Sequence, residues 1–321
     1  MTKNLGVPFS IAVLTFGVAL AWLGADRISA AGALQEAALA GELSPALQEA
    51  LVVEPTLVAA MPRKVRESSG LILSDRYPVF WTHNDSGDGA ILYAVDSTGS
   101  FVGRARLDGV RARDFEDLGK GPCPQRWMDE PYCLYVADTG NNDRGRRVMS
   151  IYVLPEPEPT QEMAVVEPAR LRFAYPDQRS DVEAIAVAAD GNIVLVSKGR
   201  RGGIRGYRIE ASAVEDALDS ESLAVVDALG ILPLEPDSKS RRLITGGTYA
   251  GSLLVLRTYE GIYGFDYGAG EWSLRGVCTI RPREPAGEAI AFAANSRFYL
   301  SSEAGGGRYP SIRWVDCPLE R

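Results

Sequence analysis

The sequence predicts an all-β fold: a β-propeller of four-stranded blades, five in number, its ring closed by an N-terminal strand. Three observations carry this. One segment is written twice, Glu183-Ala184-Ile185-Ala186-Val187-Ala188-Ala189 with an apolar run ending in Ser197-Lys198-Gly199, and Glu288-Ala289-Ile290-Ala291-Phe292-Ala293-Ala294 with a run ending in Ser302-Glu303-Ala304. A third-strand pattern recurs five times, at 91–96, 150–154, 204–209, 262–266 and 312–316. The last unit then reaches Arg321 without a fourth strand, and the run 52–60 upstream of the first unit is placed to supply it. Repetition at this period belongs to radial architectures, and closure removes the exposed sheet edges.

The chain opens with Lys3, an apolar stretch over 6–25 and the small-residue run Ser29-Ala30-Ala31-Gly32-Ala33, which suit an export signal over 1–31. An apolar stretch of about 20 residues could equally span a bilayer uncut, so a membrane anchor is the alternative. Residues 32–52 have weak helical periodicity broken by Gly41 and Pro45 and read as a spacer, partly helical or disordered. The propeller domain is expected over 53–321.

The first unit takes a strand after Glu67-Ser68-Ser69-Gly70-Leu71, then Pro78 to Asp85, 91–96 and 101–107. In the second, Asp114-Phe115-Glu116-Asp117-Leu118 leads through an insertion to Cys133 to Asn142, 150–154 and 169–175. The third runs from Glu183 to a fourth strand at 223–229, and the fourth from Leu243-Ile244-Thr245-Gly246-Gly247 through 253–259 and 262–266 to 272–281. A sixth blade hidden between Ile209 and Arg241 is the alternative count. A β-sandwich does not require equivalent polar clusters at the end of every unit.

Of 321 residues, 46% are hydrophobic and 24% charged, the composition of a folded protein, and the net charge of -8 argues against nucleic acid as a partner. Cys123, Cys133, Cys278 and Cys317 are even in number and lack C-x-x-C spacing, which fits an oxidising compartment, periplasmic or extracellular. A disulfide from Cys123 to Cys133 across the polar loop is the simplest pairing. Cys278 with Cys317 would follow by elimination, and buried free thiols remain the other reading.

Neighbouring strands of a blade are antiparallel, so the first strand starts and the second ends on one face of the ring. That face should carry Glu67, Asp114, Glu116, Asp117, Asp181, Glu183 and Glu288. It should also carry His83, Asn84, Asp85, Asp138, Asn141, Asn142, Lys198, Arg257, Thr258, Ser302 and Glu303. Glu67, Glu116, Glu183 and Glu288 recur once per unit, with Leu243 or Ile244 breaking the set at the fourth. Crowded carboxylates need a cation, basic neighbours or raised pKa values. Ca²⁺ takes six to eight hard oxygens, and Asn84, Asp85, Asp114, Glu116, Asp138 and Glu183 are the candidate ligands. The segment 84–88 lacks the spacing and terminal glutamate of an EF-hand. Turn-forming and capping roles account for any one of these residues equally well.

Lys198 and Arg257, with Thr258, Glu288 and Glu303, are candidates for contacting a ligand, the two bases forming a cationic side to the mouth. His83 is the single histidine, so several-histidine zinc sites are excluded, and no G-x-S-x-G elbow supplies a serine nucleophile. As catalytic groups Glu116 and Glu183 could activate water and His83 act as a general base. The clusters Arg144, Arg146, Arg147 and Arg200, Arg201 fall in loops between second and third strands.

The signatures Glu67-Ser68-Ser69-Gly70, Thr82-His83-Asn84-Asp85-Ser86-Gly87-Asp88, Asp114-Phe115-Glu116-Asp117, Asp138-Thr139-Gly140-Asn141-Asn142, Asp181-Val182-Glu183-Ala184 and Arg257-Thr258-Tyr259 together resemble a family of exported bacterial β-propeller proteins of largely uncharacterised function. Asp138-Thr139-Gly140-Asn141-Asn142 stands where such proteins often read Asp-Ile-Gly-Asp-Asn, a departure that removes one carboxylate. The resemblance implies a fold and a compartment, and its likeness to phytase-like and lactonase-like propellers is one of fold. The expectation is a monomer that binds a small or extended ligand with a divalent metal at an acidic channel mouth. It meets a membrane only through an uncleaved N-terminal helix. A metal-dependent hydrolase of phosphoesters or lactones and a protein-interaction scaffold are the alternatives.

Overall fold

Two short strands, β1 (Leu51–Val53) and β2 (Thr56–Ala60), precede the first repeat in a computed structural model that describes residues 50–319, except 86, 201, 238, 240–241 and 306–308. The signal assigned to 1–31 and the spacer up to residue 49 lie outside the described residues. Blade 1 is built from β3 (Ser68–Leu73), β4 (Val79–Asn84), β5 (Ile91–Asp96) and β6 (Phe101–Leu107). Blade 2 comprises β7 (Phe115–Gly121), β8 (Cys133–Asp138), β9 (Met149–Pro155) and, beyond β10 (Met163–Val166), β11 (Ala169–Phe173). Blade 3 takes β12 (Val182–Val187), β13 (Ile193–Ser197) and β14 (Arg205–Ile209). It resumes after helix α1 (Ala211–Ser220) and β15 (Leu223–Ala224) with β16 (Asp227–Ile231). Blade 4 is the meander β17 (Ile244–Ala250), β18 (Leu253–Thr258), β19 (Gly261–Gly268) and β20 (Glu271–Ile280). Blade 5 holds β21 (Gly287–Phe292), β22 (Arg297–Ser302) and β23 (Ser311–Asp316), and β2 pairs antiparallel with β23 as its fourth strand. The ring therefore has five blades and closes through the N-terminal strand.

The strands read as unbroken apolar runs because they are buried on both faces. Along β8, Cys133, Tyr135 and Ala137 point into the core shared with blade 3, while Leu134 and Val136 point into the core shared with blade 1. This period-two alternation distributes the apolar residues over five separate cores, one between each pair of neighbouring blades. The first strands β3, β7, β12, β17 and β21 pack side by side around the central channel.

The segment between β14 and β16 is not a sixth blade. Helix α1 buries Val214, Ala217 and Leu218, one helical face, in the core between blades 2 and 3. The fourth strand of blade 3 is Asp227–Ile231, later than the expected 223–229, because β15 instead lies parallel to β11 at the rim of blade 2. The same device recurs: β10 lies parallel to β6 of blade 1, and β1 parallel to β20 of blade 4. In each case the chain on its way to a fourth strand first adds a strand to the preceding blade.

Cys123 is bonded to Cys133 and Cys278 to Cys317. The first bridge closes the loop between β7 and β8; the second ties blade 4 to the end of blade 5, where the ring closes. A bridge of this kind contributes about 2–4 kcal/mol and places the domain in oxidising surroundings. Among the described residues no helix is long and apolar enough to cross a membrane.

Candidate functional site

In all five blades the pairing of first and second strands slips by one residue at the same level. Phe115 lies opposite Asp138 and Asp117 opposite Ala137, which leaves Glu116 bulged out of the ladder. The same slip frees Ser69, Glu183, Thr245 and Glu288. A β-bulge re-aims its extra residue, and here it sets one residue per blade around the channel mouth. That ring reads Ser69, Glu116, Glu183, Thr245, Glu288. It holds three glutamates and two hydroxyls, not the four glutamates and single break expected from the sequence. Glu67 lies two positions before its bulge, is exposed, and bridges the backbone of Glu303 in blade 5.

A second ring follows from the first. Asn84, Asp138, Ser197, Thr258 and Ser302 lie opposite the bulges, and the next residue of each blade is Asp85, Thr139, Lys198, Tyr259 or Glu303. Thr139 turns its hydroxyl away to donate to Val182 O at 2.9 Å. Lys198 Nζ sits 2.5 Å from Glu183 Oε2, and Tyr259 shares a hydrogen bond with Glu288.

Carboxylate oxygens of Asp85, Asp114 and Glu116 lie within 4.8 Å of one another, and so do those of Glu116, Asp181 and Glu183. Glu116 belongs to both groups. Burial, then the charge of Glu183, pushes Glu116 well above the usual carboxylate range. Burial also raises Glu183, against the pull of Lys198. Glu288 is pushed up to about 8 by burial and by Glu303. Glu303 reaches about 7 through burial and Asp85, and Asp114 about 6 through burial, Asp85 and Asp181. On Lys198, burial opposes the charge but Glu183, Tyr259 and Glu116 outweigh it, so the ammonium is reinforced. Glu183 Oε1 and Thr245 Oγ1 are buried with no hydrogen-bond partner among the described residues. Unsatisfied oxygens beside like-charged carboxylates are the condition that a hard cation relieves.

Other expected residues are placed differently. Asn84 Oδ1 accepts from the backbone N–H groups of Arg66 and Glu67, and its Nδ2 donates to Lys64 O and Asp88, which leaves the side chain no free position for a metal. Asp138 is paired with Arg146 at 2.8 Å, and Arg146 also donates to the carbonyls of Asp138 and Gly140. His83 is fully buried one step below the mouth, edge-on to Phe115, with Nδ1 3.0 Å from Asn84 O. Desolvation lowers its pKa, so the ring stays neutral and out of reach of a ligand. Thr258 caps the turn between β18 and β19 by accepting from the N–H groups of Glu260 and Gly261. Arg257 is 1% exposed. It points into blade 5, where it donates to Ala289 O and Ser301 O at 2.6 Å each and pairs with Glu284. It is a clamp between blades 4 and 5, so the cationic side of the mouth is Lys198 with Tyr259 in the next blade.

Asp117 lies at the channel axis. Its Oδ1 accepts from Leu118 N–H, and its Oδ2 from the N–H groups of Ile185 in blade 3 and Gly247 in blade 4, both at 3.0 Å. Burial pushes its pKa up, opposed by these three donors. Beyond it the channel opens at its other end into a cavity of about 250 Å³ walled by Leu73, Leu118, Val187, Tyr249 and Phe292, with Lys120 and Asp75 at its edge. The titratable cluster and this cavity are therefore at opposite ends. Tyr259 was not singled out as a site residue from sequence, although it ends a quoted motif, and Thr245 carried no signal because its register slip is invisible in the residue pattern.

No protein-family model and no curated protein matches the chain. Among solved structures it is similar to the PQQ-bound aldose sugar dehydrogenase of Streptomyces coelicolor, at 12% identity over 82% of this chain and 96% of that one, TM-score 0.47. It is also similar to regucalcin, a calcium-binding protein of Agrobacterium tumefaciens, at 11% identity over 84% and 98%, TM-score 0.47. A gluconolactonase of Xanthomonas campestris aligns at 13% identity over 82% and 89%, TM-score 0.43. Those names describe the other proteins; the chemistry of this chain rests on its own residues.

Proposed function

We propose that this protein is an exported propeller whose channel mouth binds a divalent cation, Ca²⁺ by its all-oxygen donor set, and through it an oxygen-rich small or extended ligand. The supporting observation is the pair of carboxylate triads that share Glu116, beside the unpartnered Glu183 Oε1. Asp85, Asp114, Glu116, Asp181 and Glu183 are the protein's ligands in this reading. Lys198, paired with Glu183 at the edge of the triads, and Tyr259 orient the bound molecule next to Glu288 and Glu303. Calcium titration followed by thermal melting tests it: wild type at a hundredfold excess over Kd gains about 2.7 kcal/mol, and Glu116→Gln, which enters both triads, abolishes the gain. No shift in wild type, or an equal shift in Glu116→Gln, removes the reading.

Hydrolysis of a phosphoester or lactone at the same mouth is the second reading. It is favoured by Glu288 and Glu303, which burial and neighbouring carboxylates push up to about 8 and about 7, the range in which a general acid or base works best. A bound ion supplies polarisation of the scissile group. Glu288, held by Tyr259, would then exchange the proton with water. Turnover lost in Glu288→Gln but with calcium binding kept supports this reading, and inactivity of wild type towards both substrate classes ends it.

A further inference from the structure

A groove of about 710 Å³ runs beside the mouth on the blade 1 side, lined by Arg63, Lys64, Arg66, Arg104, Tyr93 and Asp88, with Glu67 at its rim. Four cations against two carboxylates give it a net charge of +2, in a chain whose net charge is -8. Elsewhere on the ring several basic side chains are held by carboxylates, as in Arg146–Asp138, Arg208–Asp227, Arg242–Glu260 and Arg297–Asp316. None of the four groove cations lies within 4.0 Å of a carboxylate oxygen among the described residues. Arg104 stands on β6 directly opposite Tyr93 on β5, and its Nε is buried without a partner. Lys64 rests 4.0 Å over the ring of Phe101. The acid that could neutralise them is held against the wall: Asp88 accepts from Asn84 Nδ2 at 2.6 Å and from Tyr93 OH at 2.7 Å.

Cations left unpaired in a concave site attract an anion, and guanidinium groups match the oxygens of phosphate. We infer that this groove is a phosphoryl-binding site, built for a dianionic phosphate group. A phosphate monoester near neutral pH carries about -1.5 to -2, which matches the groove's excess, whereas a single carboxylate leaves it half neutralised. The inference does not depend on a metal at the mouth. The groove lies against it through Asn84, whose neighbour Asp85 belongs to a carboxylate triad.

Calorimetric titration of the full chain at low salt with inorganic phosphate, and separately with glycerol 2-phosphate, tests the inference, with acetate and chloride as controls. Saturable binding of either phosphate that weakens about tenfold or more in Arg104→Met and in Arg66→Glu, the latter at an exposed position, bears it out. Binding of the monoester assigns the site to a phosphorylated ligand, and binding of inorganic phosphate alone assigns it to the free ion. Retained phosphate binding in Glu116→Gln separates the groove from the mouth. No phosphate binding in wild type, equal heats from acetate or chloride, or unchanged affinity in both variants overturns it.

Discussion

The two ends of the channel are made from the same five strands and have opposite characters. At the mouth each first strand starts in a bulge, and the bulged residue is a glutamate or a hydroxyl in every blade. At the far end the ladders are regular, and the strands present Leu73, Val187, Tyr249 and Phe292 to a cavity. Asp117 separates the two, tying three blades together with one carboxylate. A slip of one residue, repeated five times, thus divides each strand into a half that carries chemistry and a half that carries packing.

Substitutions that confuse these roles should fail in characteristic ways. Arg257→Met takes the donors from Ala289 O and Ser301 O and leaves buried Glu284 with only Arg313, at 3.5 Å, so it should lower stability by about 3–5 kcal/mol in denaturant melts, with the calcium response of the surviving folded protein unchanged. If Arg257 contacted ligand instead, binding would fall with little loss of stability. Asp117→Ala strips acceptors from Ile185 and Gly247 and should lower stability by about 2–4 kcal/mol by the same measurement.

The pH dependence comes next in size. Glu288, Glu303 and Asp114 hold protons more tightly folded, at about 8, 7 and 6, than at their ordinary values of 4.5, 4.5 and 3.8. Their contribution is complete below about pH 4 and is lost as pH rises through 6 to 8, so the metal-free melting temperature should fall by several degrees between pH 5 and 8.5. Saturating Ca²⁺, which favours the charged carboxylates, should flatten that decline. The smallest effect belongs to the far end: Val187→Ala should lower stability by about 1–2 kcal/mol and leave the calcium shift intact.

Much of this could be read in the sequence. The third-strand pattern points to five blades, the missing fourth strand in the last unit points to 52–60, and cysteine placement points to Cys123–Cys133, while Cys278–Cys317 rests on elimination alone and is decided by the structure. The mouth was legible only in part. Glu116, Glu183 and Glu288 carry their signal because bulge and acid coincide, whereas Glu67 offered an acid two residues early and Ser69 occupies the true position. Strand alternation also decides which member of an adjacent pair faces the channel: Asp85 does and Asn84 does not, Tyr259 does and Thr258 does not. Alternation also accounts for Arg257, which shares a face of β18 with Leu253 and Val255 and therefore points into the core between blades 4 and 5 rather than to the mouth. The parallel strands β1, β10 and β15 are two to four residues long, too short to give a periodic signal.

One of those strands has a mechanical consequence. Leu51 lies opposite Cys278 in the parallel pair of β1 with β20, and Cys278 is bonded to Cys317 just beyond β23. Tension applied through the chain preceding Leu51 would load the hydrogen bonds of β1 along the strand rather than peel them one by one. It would reach β2 only after β1 had slid free. The seam where the ring closes is thus shielded from a pull on its own N-terminal side, and the covalent tie between blades 4 and 5 would hold after both strands had let go.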